Sequence, residues 1–377
     1  MGLRYRTLLA VAAAVSFALA GAACSSGGSS GSPAATSSPG PGRGIPLAPA
    51  PAPETLSETG STLLFPLMKA WAAAYQREHP NVSITTASTG SEKGIDAASA
   101  GTVSIGASDA YLSSGELVTN PTLLNIPLAI SAQQVNYNVP GLPAGVHLKL
   151  DGSVLAQMYD GTITTWNAEP ILQLNPGVPI PPVKVMPLHR SDGSGDTFLF
   201  TSYLSTHDPS WNSTYGYGTT VAWPPVPGAQ AEHGNAEMVS GCHDTVGCVA
   251  YIGGSYLNAA NNAGLGLARL ANTLGQYELP EQATISAAVA SFVSSTPTNE
   301  TISMVDGPAP GGYPIVNYEY AIVSAGQRSA TRARDIKAFL HWAITSGNAG
   351  QYLNPWHFQP LPAPVVSLCD AQIAKIS

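Results

Sequence analysis

Charge is what this chain has least of. Only 10% of its 377 residues are Asp, Glu, Lys or Arg, and the formal net charge is −8. With no basic excess, the chain lacks the electrostatic footprint of a nucleic-acid or polyanion binder, and those partners are excluded. A small anion is not excluded, because local dipoles and one or two cations hold it whatever the net charge. Cysteine is scarce, at four, and the eight histidines show no paired metal-ligand spacing. A metal centre and a metal-dependent phosphatase are therefore disfavoured, and no cofactor is implied. There is no nucleotide-type glycine–lysine phosphate loop, no G-x-S-x-G elbow and no internal repeat. Ser194, His189 and Asp192 lie close in sequence, but triads are assembled from separate segments, so a secreted phosphoester hydrolase is the weaker reading.

What the chain has in abundance is Gly and Pro, at 38 and 32, with 44% hydrophobic residues. That composition suits a loop-rich exported protein, and the length favours two domains. Residues 1–24 read as a targeting signal. Arg4 and Arg6 precede the apolar run Leu8 to Ala20, which is too short to span a bilayer. Cys24 follows Gly21-Ala22-Ala23 as in a bacterial lipoprotein signal, although Gly21 stands where such signals usually carry Leu. The expectation is a diacylated Cys24 and a location on the outer face of the cell membrane. The alternative is free secretion with a spare thiol. Residues 25–53 are rich in Ser, Gly, Pro and Ala and read as a flexible tether.

The informative pattern lies in the junctions beyond residue 54. In the stretch HRSDGSGDTFLF, residues 189–200, a β-rich run ends in a Gly/Ser turn and a helix begins. The N–H groups of a helix's first turn have no intrahelical partner, and with the helix dipole they favour an anion. Arg190 adds a forked cation. The bland alternative is an ordinary Ser/Asp cap. Three earlier strand–turn junctions carry hydroxyls: Thr59-Gly60-Ser61-Thr62, Thr89-Gly90-Ser91, and Ser108-Asp109-Ala110. In open α/β folds ligands bind at such strand ends. Asp109 is odd beside an anion unless the ligand keeps a proton that the acid can accept. Its alternative is a helix cap or a loop acid. Cys242 and Cys248, six apart, suit a small disulfide loop in an exported protein, with metal binding through His243 and Asp244 as the weaker option. Cys369 is left over.

Seven motifs resemble one family: TGSTLLFP, TGSEKGI, IGASDAYLS, ISAQQVNYN, GTITTWN, HRSDGSGDTFLFTSYL and GYPIVNYEYAIV. They are similar to those of the phosphate-binding proteins (PstS) of bacterial ABC phosphate importers, above all the actinobacterial lipoprotein members. The resemblance implies a two-lobe α/β fold of the type II periplasmic-binding-protein class, with two hinge strands. The lobes would be 54–130 with 316–377, and 131–315. It implies a monomeric, non-enzymatic receptor that takes inorganic phosphate to the permease's transmembrane subunits. Other oxyanions (sulfate, phosphonate, arsenate) are the alternative ligands. The phosphate contacts it implies are Ser61, Thr62, Leu63 (by backbone), Ser91, Asp109, Arg190, Ser194, Gly195 and Asp196. Two departures stand out. Glu92-Lys93 follow Ser91 where distant members have Gly, and Asp196 replaces a Thr, so its backbone N–H rather than its carboxylate is expected to face the ligand.

Overall fold

The computed structural model describes residues 44–143 and 145–377. The signal, Cys24 and the tether up to residue 43 lie outside the described residues. Parallel strands β1 (Leu56–Gly60), β2 (Ile84–Ser88) and β3 (Ile105–Ser108) form one half of the main sheet. The fifteen-residue strand β4 (Leu123–Tyr137) links that half to the other. A short strand β5 (Lys149–Leu150) is followed by β6 (Met186–Arg190), β7 (Gln230–Glu232) and β8 (Cys248–Gly253). Then come β9 (Gly266–Leu267), β10 (Arg269–Ala271), β11 (Tyr277–Glu278) and β12 (Val316–Ser324). The strand order is β2-β1-β3-β12-β4-β8-β6-β7, with β9 also on β4, while β11-β10-β5 make a small separate sheet. This is a mixed α/β fold of two lobes.

β4 is the joint. Over residues 123–132 it pairs antiparallel with β12, and over 133–137 with β8. β4 and β12 are buried along almost their whole length, with apolar side chains on both faces and a set of buried polar ones among them. Such a strand shows no alternation. For that reason the sequence pattern suggests a strand only at Val135 to Val139, not the long run that precedes it.

A continuous buried core runs through both lobes. In the first, the helix Phe65–Glu78 buries Leu67, Met68, Trp71, Ala74 and Tyr75 at helical spacing, with Pro66 in its first turn. Trp71 Nε1 donates to Gly347 O at 2.7 Å, and Tyr75 packs edge-on against Phe339 and Trp342. Truncating a Trp so placed costs about 3–5 kcal/mol. In the second lobe, Tyr159, Phe200, Trp223 and Tyr251 form an aromatic cluster under β6. Tyr251 Oη accepts from the Arg190 backbone N–H at 2.8 Å, fixing the end of that strand.

Two sequence expectations shift. The ordered body begins before residue 54. Ala50 N–H and Glu54 N–H both donate to the buried Asp335 carboxylate, at 2.7 and 2.8 Å, and Ile45 packs on the core. Composition cannot anticipate a carboxylate that waits 280 residues downstream to collect these amides. Residues 296–302, inside the range expected for the second lobe, hydrogen-bond to Tyr318, Asn125 and Gln372 of the first. The Cys242–Cys248 disulfide is present, tying the end of the helix Gly234–Asp244 to the start of β8. Cys369 is a buried free thiol that donates to Glu300 Oε1 at 3.1 Å.

Burial raises the Glu300 carboxyl from 4.5 to about 8, against the smaller opposing effects of Cys369 and Lys375. The folded chain therefore holds a proton that the unfolded chain releases. The stability it contributes is full below pH 4.5 and is lost as pH rises to about 8. Glu300→Gln, which keeps the neutral shape, should remove this slope. In thermal melts across that window the parent should lose ground to the variant steadily, and a constant gap would refute the assignment.

Candidate functional site

The carboxyl ends of β1, β2, β3 and β6 meet at the seam between the lobes. Ser61 follows β1, Ser91 opens the helix Ser91–Ser99, Asp109 follows β3, and Arg190 ends β6. Ser194 caps the helix Gly195–His207, its hydroxyl accepting from Asp196 N–H at 3.0 Å. All are enclosed: Ser61 is 0% exposed, Ser91 1%, Asp109 1%, Arg190 3% and Ser194 1%. The residues expected at the site from four separate segments are thus brought together.

Asp109 is the centre of the first lobe's half. Ser61 Oγ donates to Oδ1, and Ser91 Oγ donates to Oδ2 at 3.2 Å. Asn317 Nδ2 donates to the Asp109 backbone carbonyl at 2.5 Å. Burial pushes the Asp109 carboxyl up, and hydrogen bonds from Glu319 and Ser61 and the charge of Arg190 pull against that.

Arg190 is the centre of the second lobe's half. Its Nε donates to Asp192 Oδ1 at 2.7 Å, its Nη2 to Asp192 Oδ2, and its Nη1 to Asp196 Oδ2 at 2.8 Å. A guanidinium has five N–H groups, so one on each terminal nitrogen stays available for another acceptor. Burial opposes the cation, but Asp192 and Asp196 more than offset it and its pKa ends raised. Burial likewise opposes the Asp192 anion, yet Arg190 and the Gly234 N–H hold that carboxyl below its usual range. Asp196 goes the other way. Burial and the charge of Asp109 raise it to about 7, against Arg190, Asn235 and Gln133.

The structure corrects the expectation for Asp196. Its N–H is bound to the Ser194 hydroxyl, and its carboxylate is engaged instead. Besides Arg190 it accepts from Asn235 Nδ2 at 2.6 Å and Gln133 Nε2 at 3.2 Å. An acid can replace the Thr because three donors await it. Glu92 lies across the seam against Gly193, its N–H donating to Gly193 O at 3.2 Å, and Lys93 is exposed.

The lobes touch through these same residues. Asn235 Nδ2 donates to Thr62 Oγ1 at 2.8 Å, and Ser255 Oγ to the Leu63 carbonyl at 2.7 Å. Asn235, Gln133 and Asp192 belong to this network although the motif reading did not single them out. Asp192 and Gln133 lie within the motifs HRSDGSGDTFLFTSYL and ISAQQVNYN, whereas Asn235 lies in none of them. The three candidate triad residues do not form a triad: Asp192 is bound to Arg190, and the His189 ring stacks on Trp223 at 4.8 Å.

A family model described as a PBP superfamily domain matches residues 46–346. The chain is 30% identical over 320 residues to the phosphate-binding protein PstS of Xylella fastidiosa, with 85% of each chain covered. The chain belongs to the PstS family. It is also 33% identical over 315 residues to PstS of Methanocaldococcus jannaschii, covering 79% of this chain and 80% of that one. The solved structure of a phosphate-binding protein from Stenotrophomonas maltophilia superposes with a TM-score of 0.65 at 17% identity. That match covers 84% of this chain and 93% of the other, and it speaks for the PstS-type fold.

Gly195 packs closely across the seam. A Cβ there would lie 2.5 Å from Asp109 Cβ and 2.6 Å from its Oδ2. Gly195→Ala alters no side chain of the hydrophobic core, so the variant should fold like the parent but hold the lobes apart. Small-angle X-ray scattering should read a larger radius of gyration, and an unchanged radius would show that the seam yields.

Proposed function

We propose that this protein is an extracytoplasmic binding protein that captures inorganic phosphate and delivers it to an ABC import permease. The observation that carries the reading is the buried convergence of Ser61, Ser91 and Asp109 with Arg190 and the start of the Gly195 helix. Membership of the PstS family supports it. The first lobe offers hydroxyls and one acid. The second offers two guanidinium N–H groups, the Ser194 hydroxyl and the Gly195 N–H. Thr62 and the Leu63 backbone complete the assigned set, and Asp196 holds Arg190 in place. We assign Cys24 as the lipid attachment that keeps this carrier at the outer face of the membrane, and residues up to 43 as its tether. The protein acts as a carrier, not an enzyme, and as a monomer.

Asp109 explains the choice of ligand. Phosphate keeps at least one P–OH group near neutral pH, and Asp109 accepts it. Sulfate has no proton, so its oxygen and the carboxylate oxygen would face each other unpaired. A site built around one ligand hydrogen rejects the analogue without it by roughly 10⁴ to 10⁵. Closure makes the selection, because donors from both lobes are complete only when the seam is shut.

Calorimetry on the purified protein should show tight binding of phosphate and none of sulfate at matched concentration. Equal affinity for the two would overturn the assignment. Asp109→Asn should relax the discrimination, and Arg190→Ala should weaken phosphate about tenfold or more, since it removes charged hydrogen bonds. A chromogenic phosphoester should give no multiple turnover. Separately, Cys24→Ala should move the protein from the membrane fraction to the soluble one, and retention at the membrane would count against lipid anchoring.

A further inference from the structure

Beneath Asp109 lies a second acid that the phosphate contacts do not use. Glu319 sits in β12 with 0% exposure. The ladder pairs Tyr320 with Ser108 and Ala321 with Ala107, so the next position brings Glu319 opposite Asp109. On its other side β12 slips register against β4 between Glu319 and Tyr320, leaving Leu128 unmatched. Bulges of this kind re-aim a side chain. Ser131 Oγ donates to Glu319 Oε1 at 2.6 Å, while Oε2 is buried with no donor among the described residues.

A buried carboxylate oxygen with no donor is costly, whereas a carboxyl O–H needs an acceptor instead. Asp109, one register step beyond the Tyr320–Ser108 pair and the neighbouring acid that raises the Glu319 carboxyl, is the acceptor assigned to it. The surrounding charge agrees. Asp109 faces Glu319 from the end of β3 and Asp196 from the Gly195 helix, Asp192 lies in the loop after β6, and Arg190 is the cation among them. Ser131 and Gln133 from β4 and Asn317 from β12 are neutral. Another negative charge here would have no counter-ion, least of all with an anionic ligand present.

We propose that Glu319 is a positioning residue for ligand selection: held as the neutral acid, it donates its proton to Asp109 and keeps Asp109 an anionic acceptor with a lone pair turned to the ligand's hydrogen. This inference rests on the phosphate reading. Burial, then the charge of Asp109, pushes the Glu319 carboxyl well above the usual range. Burial raises Asp109 as well, but Asp109 has two hydroxyl donors and the charge of Arg190 beside it, whereas Glu319 has Ser131 alone, so Glu319 is the acid assigned the proton. Were Glu319 to ionise, Asp109 would have to take up a proton itself. It would then donate rather than accept, and the rejection of sulfate would fade.

Glutamine copies the neutral acid, with an N–H toward Asp109 and an oxygen for Ser131. Leucine fills similar space with no donor. Glu319→Gln should bind phosphate within about threefold of the parent and still exclude sulfate, whereas Glu319→Leu should lose about tenfold or more and discriminate less. At alkaline pH the parent should weaken before Glu319→Gln does. Equal losses in the two variants, parent-like binding by Glu319→Leu, or parallel pH profiles for the parent and Glu319→Gln would each overturn the proposal. An infrared difference spectrum, parent minus Glu319→Gln at neutral pH, gives a reading without ligand. A protonated-carboxyl band should appear, and its absence would overturn the proposal even if Glu319→Leu fails to fold. A parent protein that binds no phosphate would instead sink the functional reading beneath it, while the infrared band would still report on Glu319.

Discussion

Asp109 accepts hydrogen bonds from Ser61 and Ser91, with 1% of its surface exposed, and the arrangement of three strand ends follows from that. The donors come from different loops, so β1, β2 and β3 must stop at one level. They do: Gly60 pairs with Ser88 on one side and Ala107 on the other. The chain then turns at Gly60 with φ of 141°, where a Cβ would lie 2.0 Å from the Ala107 carbonyl oxygen. No side chain fits there, and Ser61 gains its reach to Asp109 because of it. A parallel half-sheet with glycine at its turns is thus what a buried, multiply hydrogen-bonded carboxylate demands.

The joint strand β4 and its neighbour β12 also form the floor of the site. β4 carries Ser131 and Gln133, and β12 carries Asn317 and Glu319, all of them buried polar residues. Buried polar groups are tolerated only when partnered. Here Gln133 reaches Asp196 in one lobe's half of the site, while Ser131 and Asn317 serve Glu319 and Asp109 in the other's. A change in the angle between the lobes therefore shifts the groups that orient both acids. The joint between the lobes and the polar network share a scaffold.

Much of this was readable in the sequence, for a local reason. Ser61, Ser91, Asp109, Arg190 and Ser194 sit at strand–turn–helix junctions, where Gly and Ser mark the turn and the helix start dictates the chemistry. The helix beginning at Gly195 and the helix Phe65–Glu78 follow from apolar spacing and caps. Asn235, Gln133 and Glu319 were not readable in this way. Their roles depend on which strand lies beside them, and no short window of sequence carries that. Glu319 did leave a trace, as the one acid inside the apolar strand YPIVNYEYAIVS. The same limit explains residues 44–53. Their composition suits a tether, but Asp335 supplies two hydrogen bonds that fasten them to the body.

The charge of the closed site argues for recognition by hydrogen bonds rather than by net attraction. Arg190 is held on one side by Asp192 and on another by Asp196, so its charge is already balanced within the second lobe. Adding an anion beside Asp109 on Coulombic grounds alone would be unfavourable. What remains attractive is directional: two guanidinium N–H groups, hydroxyls, and the start of the Gly195 helix, all desolvated and preorganised. Charge is also a poor discriminator among oxyanions, since sulfate and dibasic phosphate carry the same charge and nearly the same shape. Their difference is one hydrogen. A site that has neutralised its own cation and placed a single acceptor among donors reads that hydrogen directly, and a neutral Glu319 beneath Asp109 is what keeps the acceptor an acceptor.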